Sequence, residues 1–356
     1  MTVIYPSMLK NSGNFDDYKK YINTYNVQDF EIPAGVTEIP DNAFQSCSSL
    51  TSLTIPDSVT SIGDSAFYNC SGLTSITIPD SVTSIGQSAF QSCSSLESIT
   101  LPFVGATKDG TSSKIFGYIF GASDYADNTV STPDSLKTVV ITDAMSIGDS
   151  AFYGCSGLTS ITISDSVTSI GDSAFHNCSG LTSITIPDRV ESIGDSAFYG
   201  CSGLTSITIP DSVTSIGHYA FANCSSVESV NMPNSVTKLN TAVFYRCSSL
   251  KHISIPDRVT SIGPAAFREC SSLTNLSLPD SVASINEYAF YKCTSLKQVT
   301  IGDDATYIGH FAFSDCSALT RINYKGSPIQ WSGISKGVYW NSGADNYTIA
   351  YNYKGK

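Results

Sequence analysis

Cysteine and histidine are the residue types in this sequence whose side chains most readily act as nucleophiles or metal ligands. The eleven cysteines recur at one constant interval, that from Cys47 to Cys70, except for a longer gap between Cys93 and Cys155. In a stack of similar coils such cysteines would lie about 4.8 Å apart with parallel Cα–Cβ bonds, a geometry that does not suit a disulfide. The spacing therefore predicts a column of small apolar core residues rather than a disulfide framework.

The four histidines do not form a repeated ligand set. His176 and His252 fall at different positions of the repeat, and His218 and His310 share a third position but lie four coils apart. Ser and Asp are so abundant that a Ser-His-Asp combination has no diagnostic value. The chain also has no phosphate-binding loop, C-x-x-C pair or dinucleotide fingerprint. We therefore expect no catalytic residue, no cofactor and no enzymatic activity.

Aspartates recur at two corners of the repeat. One column contains Asp57, Asp80, Asp188, Asp211, Asp257 and Asp280, and the other contains Asp64, Asp149, Asp172 and Asp195. Carboxylates about 5 Å apart repel one another, and Ca²⁺ could relieve this repulsion. Turn and helix-capping roles explain the same residues without a metal. We expect no metal site, with calcium as the alternative that unfolding temperatures in Ca²⁺ and in chelator would separate.

The charge and hydropathy of the chain exclude several classes of partner. The net charge is -12, and Lys and Arg together number only 19, so nucleic acid and anionic membranes find little to bind. No segment approaches the roughly 20 apolar residues of a membrane-spanning helix. Met1–Lys10 lacks the basic and apolar regions of a secretory signal. We expect neither nucleic-acid binding nor membrane insertion, and no signal peptide or anchor is visible in this chain.

A repeating unit accounts for the constant cysteine spacing. One clean copy is Leu73–Ser95, LTSITIPDSVTSIGQSAFQSCSS. Its opening segment has the form L-x-x-I-x-I, in which Leu73, Ile76 and Ile78 point inward and the hydroxyl residues between them point outward. No single helical or strand period fits all the apolar positions, whereas a coil with three short sides does. The opening segment is therefore predicted to be a short parallel strand.

The rest of the unit supplies two corners and two further sides. Pro79–Ser81 form a turn, and Gly86 permits the next corner. In several units Asp-Ser-Ala-Phe follows the glycine, as in Gly63–Phe67, where Asp could cap a one-turn helix while Phe fills the core. A single coil has too little interior to fold, so stability must come from stacking. The sequence predicts a repeat solenoid, a right-handed superhelix with a long parallel β-sheet on one face and short strands, turns and one-turn helices elsewhere, mostly β.

The repeat is predicted to continue through the gap between Cys93 and Cys155 and to be closed at both ends. The gap fits one degenerate coil with loop insertions within residues 103–135. Residues 1–26 carry Phe15, Tyr18 and Ile22 at helical spacing and are predicted to be a helical N-terminal cap. Residues 325–356 are predicted to be a C-terminal cap, in which Trp331 and Trp340 cover the last coil. Between the caps, residues 27–324 form the solenoid, with about twelve coils that each carry a core Phe.

The pattern I-P-x-x-V-T-x-I-G-x-x-A-F-x-x-C-x-x-L-x-x-I-x-I closely resembles the BspA-like leucine-rich-repeat family of bacterial and protozoan surface proteins. The resemblance extends from about Val27 to Tyr324, and Gly326, Gln330-Trp331 and Trp340-Asn341 resemble the family's C-terminal cap. It implies a leucine-rich-repeat fold, attachment to host proteins or cells or protein binding in general, and an extracellular or cell-surface location. The motif residues themselves define the coil and carry no chemistry.

The outward positions of the first strand are the first candidate binding surface, since they form the concave face of a leucine-rich repeat. In many coils they are Thr, Ser and Thr, a uniform grid with little specificity. Larger or charged residues replace them at Glu97, Lys137, Glu228, Lys251, His252, Asn275, Lys297, Gln298 and Arg321. We predict that these residues bind a partner; drift of older repeats is the alternative explanation.

Two other candidate binding surfaces carry aromatic residues that the repeat pattern does not assign to the core. The expanded coil holds Phe103, Tyr118 and Tyr125 among Gly, Ser and Asp, and long insertions on a rigid scaffold often carry recognition. Phe116 in the same segment fits a core position equally well. A tyrosine also follows the core Phe in several coils, at Tyr68, Tyr153, Tyr199, Tyr245 and Tyr291, where it could contact sugars or proteins or could shield the coil edge.

These observations predict a non-enzymatic protein-binding scaffold. The specific hypothesis is an adhesin-like cell-surface protein that engages host or matrix proteins through the concave sheet face and the inserted loop. The alternatives are a carbohydrate-binding module that uses the hydroxyl grid and the tyrosines, and an architectural spacer whose repeats set length alone. Parallel binding to glycans and to matrix proteins would separate the first two.

Overall fold

The computed structural model describes residues 13–110, 114–344 and 346–354. The chain forms two compact units, Met1–Val167 and Thr168–Lys356. Each unit is a parallel β-solenoid of three-sided coils, so the predicted fold class is confirmed. In the described residues the helices are Phe15–Tyr25, Asn128–Ser131 and Pro328–Gly333 (α), and Phe116–Phe120 and Tyr125–Asp127 (3₁₀). None of the helices in these described ranges is long and apolar enough to span a membrane.

The first side of each coil is a short strand that pairs in parallel with its neighbour. Ile76 aligns with Ile99, for example, and the flanking hydroxyl residues align likewise. In the first unit these strands are Asp29–Glu31, Ser52–Thr54, Ser75–Thr77, Ser98–Leu101, Thr138–Ile141 and Ser160–Thr162. In the second they are Ser183–Ile184, Ser206–Thr208, Ser229–Asn231, His252–Ile253, Asn275–Ser277, Gln298–Ile301, Arg321–Tyr324 and Thr348–Ala350. We call their outward surface the strand face.

The second side is a two-residue strand whose second residue is usually an apolar core residue. Ile39 pairs with Ile62, and Ile262 pairs with Ile285. In the first unit these strands are Glu38–Ile39, Ser61–Ile62, Ser84–Ile85 and Ser146–Ile147. In the second they are Ser169–Ile170, Ser192–Ile193, Ser215–Ile216, Lys238–Leu239, Ser261–Ile262, Ser284–Ile285, Tyr307–Ile308 and Ser335–Lys336.

The third side, which we call the turn side, differs from the prediction. The sequence predicts a one-turn helix beginning in Gly63–Phe67, but the segment forms two successive tight turns with left-handed backbone at Ser65 (φ 54°) and Asn69 (φ 58°). The Phe67 N–H donates to the Ala89 carbonyl of the next coil, at 2.8 Å, instead of closing a helical turn. A third ladder between coils therefore replaces the predicted helices.

The corner aspartates add hydrogen bonds between successive coils on the turn side. Asp64 Oδ1 accepts the backbone N–H of Gln87 at 2.7 Å, and Asp195 Oδ1 accepts that of His218 at 2.6 Å. Each carboxylate thus caps the following coil rather than a helix in its own coil. An ordinary turn role explains these residues without a cation.

The core is a stack of aromatic rings beside a column of thiols. In the second unit, neighbouring core Phe rings from Phe175 to Phe313 stack with centroids 5.0 to 5.8 Å apart. All eleven cysteines are buried and free, as a column of small core residues requires. Cys247 Sγ donates to the carbonyl of Phe221 at 3.2 Å. Cysteine therefore fills a small apolar volume and also satisfies a buried carbonyl.

The corner glycines are required by close approach of the coils. A Cβ at Gly86 would lie 2.4 Å from the backbone nitrogen of Asp64, and one at Gly263 would lie 2.4 Å from the carbonyl oxygen of Leu239. Neither glycine has a positive φ. The predicted reason, conformational freedom, is therefore replaced by a steric one.

The expanded coil continues the core of the first unit. Phe90 N–H donates to Ile119 O at 2.8 Å, and Phe116 N–H donates to Ala151 O at 2.8 Å, so the inserted 3₁₀ helix bridges both neighbouring coils. The buried Asn128 holds this segment: its Oδ1 accepts the Gly117 N–H at 2.7 Å. Phe116 is fully buried and belongs to the core.

Both ends of the described chain cover a terminal coil. Helix Phe15–Tyr25 begins after Asn14, whose side chain accepts the Asp16 N–H, and it buries Tyr18 and Ile22. At the other end Trp331 packs edge-on against Tyr324, with ring centroids 5.1 Å apart. Thr348–Ala350 pairs in parallel with Arg321–Asn323, so this segment continues the coil although its sequence no longer shows the repeat.

Candidate functional site

The predicted partner-binding residues of the second unit lie side by side on the strand face. Asn275 aligns with Gln298, and Gln298 aligns with Arg321, in parallel register. His252 occupies the same outward position in the preceding coil and aligns with Ser229 behind it. His252, Asn275 and Arg321 are exposed, and Gln298 is half-buried. Neighbouring members of this row are about 4.8 Å apart along the sheet.

A second row precedes these strands by one residue. Lys251 N–H donates to the Glu228 carbonyl at 3.0 Å, and Thr320 N–H donates to the Lys297 carbonyl at 3.0 Å. Lys251 Nζ also pairs with Glu228 Oε2 at 2.9 Å, with about half of each side chain exposed (51% and 59%). An exposed pair of this kind adds little to stability and is easily exchanged for a pair with a ligand.

Arg321 is positioned by a buried amide. Its Nε donates to Asn323 Oδ1 at 2.7 Å, and Asn323 is fully buried and donates to Thr300 Oγ1 at 3.4 Å. This contact fixes the base of the guanidinium on the strand face. Together with Lys251 and Lys297 it gives the surface three cations, which outnumber the carboxylate of Glu228. The patch is therefore positive on a chain with a net charge of -12.

Glu97 and Lys137 lie next to each other on the strand face of the first unit. Lys137 N–H donates to Glu97 O at 2.9 Å, and both side chains are exposed. Lys137 Nζ donates to the carbonyls of Asp134 (2.7 Å) and Gly157 (3.3 Å), so its charge is partly engaged by its own backbone. The neighbouring hydroxyl grid forms a shallow cleft of about 500 Å³ that includes Ser75 and Thr77.

Among the partner-binding residues predicted in the expanded coil, the prediction for Phe103 was wrong. Phe103 is only 3% exposed, because the insertion returns to the coil and buries residues 103–106 in the core, so it cannot contact a partner. Tyr118 is half-buried, and burial followed by the nearby Asp64 raises the pKa of its hydroxyl. Tyr125 is 49% exposed and packs edge-on against Tyr153 at 5.0 Å. Tyr125 is therefore the one of the three that presents a broad surface.

Sequence reasoning missed a charged cluster on the turn side of the second unit. The residue before each cysteine is Ser, Asn or Gly in the earlier coils but Arg246, Glu269 and Lys292 in three consecutive ones. They line a cleft of about 420 Å³, and Arg268 pairs with Glu269 beside it. Comparing the residues before the cysteines coil by coil, like the strand positions, would reveal the cluster.

Within the described residues, no group of three or more His, Cys, Asp or Glu side chains is arranged to hold a metal ion.

The family model for the BspA-type leucine-rich-repeat region matches this sequence in six copies, at residues 17–108, 126–251 and 238–354. The chain belongs to the BspA-type leucine-rich-repeat family. Among solved structures, this BspA-type chain is similar to a leucine-rich repeat protein from Bacteroides ovatus, with 29% identity over 91% of this chain and 84% of that one and a TM-score of 0.62. It is also similar to a leucine-rich cell surface protein from Faecalibacterium prausnitzii, with 30% identity over 87% and 91% of the two chains and a TM-score of 0.43. No curated protein matches it.

Membership of this BspA-type family gives the fold and the general role of a leucine-rich-repeat interaction scaffold. The repeat residues that define the family are the buried ones, so a specific ligand has to be argued from the exposed residues that depart from the repeat.

Proposed function

We propose that the chain is a non-enzymatic, adhesin-like surface scaffold that binds host or matrix proteins. The observation that carries the proposal is the row His252, Asn275, Gln298 and Arg321, in which four adjacent coils replace the Ser of the repeat with a larger side chain. Stacked strands hold such side chains on a rigid frame, which lowers the entropy lost on binding.

The charge of this surface supports an acidic partner. Lys251, Lys297 and Arg321 are exposed and outnumber the neighbouring Glu228. Arg is enriched among the residues that carry binding energy in protein interfaces, whereas Ser and Thr are under-represented. The repeat consensus is therefore the inert surface and the departures from it are the active one.

The close resemblance to BspA-like surface proteins supports the proposed location. Tyr125 and Val130 of the expanded coil, 49% and 81% exposed, give the proposed second contact. A carbohydrate-binding role for the hydroxyl grid of the first unit is the competing function, because its cleft combines Ser and Thr hydroxyl groups with the carboxylates of Asp57 and Asp80.

The experiment measures binding of the purified chain to a panel of extracellular-matrix proteins and to a glycan array in parallel. We expect at least one matrix protein to bind. The variant Lys251→Ser/His252→Ser/Lys297→Ser/Arg321→Ser should then weaken that binding by roughly tenfold or more, since several charged contacts are lost. Binding to glycans alone would contradict the proposal.

A matched control removes three exposed cations elsewhere in the same unit: Arg189→Ser, Lys238→Ser and Arg258→Ser, each restoring the repeat residue. The control should bind as the unmodified protein does. Equal weakening by both variants would indicate a general charge effect and would reject the strand face as the site.

A further inference from the structure

The turn side of the second unit carries a continuous array of cations and aromatic rings. Arg246 lies over the Tyr245 ring at 5.0 Å, and Arg268 lies between the rings of Tyr245 (5.6 Å) and Tyr291 (5.1 Å). Lys292 Nζ follows at 5.2 Å from the Tyr291 ring. The tyrosines thus act as spacers that hold three cations in fixed places.

One carboxylate organises the array. Glu269 accepts from Arg246 Nε at 2.7 Å and from Arg268 Nε at 3.2 Å, one through each of its oxygens. Burial would raise the pKa of Glu269, but the bonds and charges of the two arginines together lower it. Glu269 is therefore ionised at neutral pH, and the cluster of three cations and one anion has a net charge of about +2.

These charges stand at positions where they are conformationally costly. Arg246, Glu269 and Lys292 have left-handed backbone (φ 58°, 63° and 58°). The equivalent residues Asn177 and Asn223 adopt φ 58° as well, but Asn tolerates this region far better than a long side chain does. The left-handed turn recurs at this position elsewhere in the repeat, as at Ser46 and Ser92, and three consecutive coils place a long charged side chain in it.

The cleft beside the array is a groove that crosses four coils, about 14 Å from end to end at a coil spacing of about 4.8 Å. Hydroxyl side chains form its other wall at Ser225, Ser248, Ser271 and Thr294. Ser248 and Ser271 donate to the carbonyls of Ser225 and Ser248, at 3.3 Å each, so their oxygens remain as acceptors. The groove thus offers acceptors for ligand hydroxyl groups beside cations for ligand anions.

The backbone of this groove is already used. The N–H groups of Asn223, Arg246 and Glu269 donate to carbonyls of the next coil at 2.7 to 2.8 Å. A peptide that binds as an added strand needs free backbone donors and acceptors, and this surface does not supply them. A ligand in this groove must therefore be bound by side chains.

From the cations, the hydroxyl wall and the occupied backbone, we infer that this groove binds a linear anionic glycan carrying carboxylate or sulfate groups. Arg246 and Lys292 line the groove and pair with the anionic groups, while Arg268 holds Glu269 beside them. The serine oxygens accept from the sugar hydroxyls. The site lies on a different side of the coil from the strand face and is independent of the function proposed above. On a chain with a net charge of -12, an anionic ligand is attracted to the places where cations gather, and in this groove the cations stand beside hydroxyl acceptors.

Fluorescence anisotropy with a labelled, sulfated and uronate-containing heparin hexasaccharide tests the inference, with neutral maltohexaose and hexa-aspartate as comparison ligands. The test variant is Arg246→Asn/Lys292→Asn, which restores the residue of other coils and relieves the left-handed strain. We expect it to fold with equal or higher thermal stability and to lose roughly tenfold or more in affinity for the sulfated hexasaccharide.

The matched control Lys238→Ser/Arg258→Ser removes the same charge from the same unit and should bind as the unmodified chain does. Failure of the unmodified chain to bind the sulfated hexasaccharide would overturn the inference. So would equal binding of maltohexaose, equal weakening by the control, or site-dependent binding of hexa-aspartate with comparable affinity, which would assign the groove to acidic peptides. None of these outcomes bears on the matrix-protein binding assigned to the strand face.

Discussion

At the scale of single residues, the repeat is maintained by side chains that satisfy two demands at once. Cys247 fills a small core volume and donates to the Phe221 carbonyl. Asp64 forms a corner and accepts the Gln87 N–H of the next coil. Such double roles explain why these residue types recur in coil after coil, and none of them requires a reactive group.

The thiols should be inert in the folded protein. Burial raises the pKa of Cys93, Cys155 and Cys247 to about 12, so almost no thiolate exists at neutral pH, and reagents cannot reach the buried sulfur atoms. We expect iodoacetamide at pH 8 to label none of the eleven cysteines within minutes in native buffer and all of them in guanidinium chloride, as read by intact mass. Rapid labelling of several cysteines in native buffer would contradict the buried ladder.

The corner glycines provide a second test at this scale. Gly263→Ala should lower the free energy of unfolding by about 1–3 kcal/mol, because the added Cβ meets the Leu239 carbonyl at 2.4 Å and backbone cannot easily move aside. Gly333→Ala is the control, since nothing lies within 4 Å of its Cβ position and it ends a helix. Thermal unfolding should rank Gly263→Ala well below the control, and equal melting temperatures would show that the coils are not in close contact.

At the scale of elements, the parts of the coil that can be predicted from the sequence are those set by local patterns. The alternation in Leu73–Ile78 and the spacing of the core Phe residues determine the strand and the interior. The Asp-Ser-Ala-Phe segment predicts a helix on the turn side because it begins with a good capping residue. Its real hydrogen bonds run to the next coil, as from Phe67 to Ala89, and no local pattern reveals them.

The candidate sites also divide into residues that local sequence patterns predict and residues whose positions depend on how the coils pack. The strand-face residues could be read from the alternation, whereas the burial of Phe103 depends on the path of the insertion. Arg246 and Lys292 depart visibly from the repeat, but the contacts of Arg246 with Glu269 and of Arg268 with Tyr291 form only when successive coils stack.

The expanded coil depends on Asn128. Asn128→Ala leaves the buried Gly117 N–H without its acceptor and should cost about 1–3 kcal/mol, loosening residues 116–132 before the rest of the first unit. Hydrogen–deuterium exchange should therefore speed up in this segment. Val130→Ala, at an 81% exposed position, is the control that should leave exchange unchanged. Unaltered protection in Asn128→Ala would mean that other contacts anchor the insertion.

At the scale of the whole molecule, average composition conceals the candidate binding surfaces. The net charge is -12, yet the second unit gathers cations on its strand face and again on its turn side. Both surfaces consist of departures from a repeat that is otherwise poor in charge and rich in hydroxyl groups. The repeated residues build the scaffold, and the exceptions are proposed to select its partners.

Hydroxyl-radical footprinting of the chain, alone and with a matrix protein identified in the binding panel, tests whether the exceptions to the repeat contact the partner. We predict protection of the strand-face side chains His252, Lys297, Gln298 and Arg321, with no change in the hydroxyl-grid strands Ser52–Thr54 and Ser75–Thr77. Protection of the uniform Ser and Thr strands, with His252 and Arg321 as reactive as in the free chain, would contradict it.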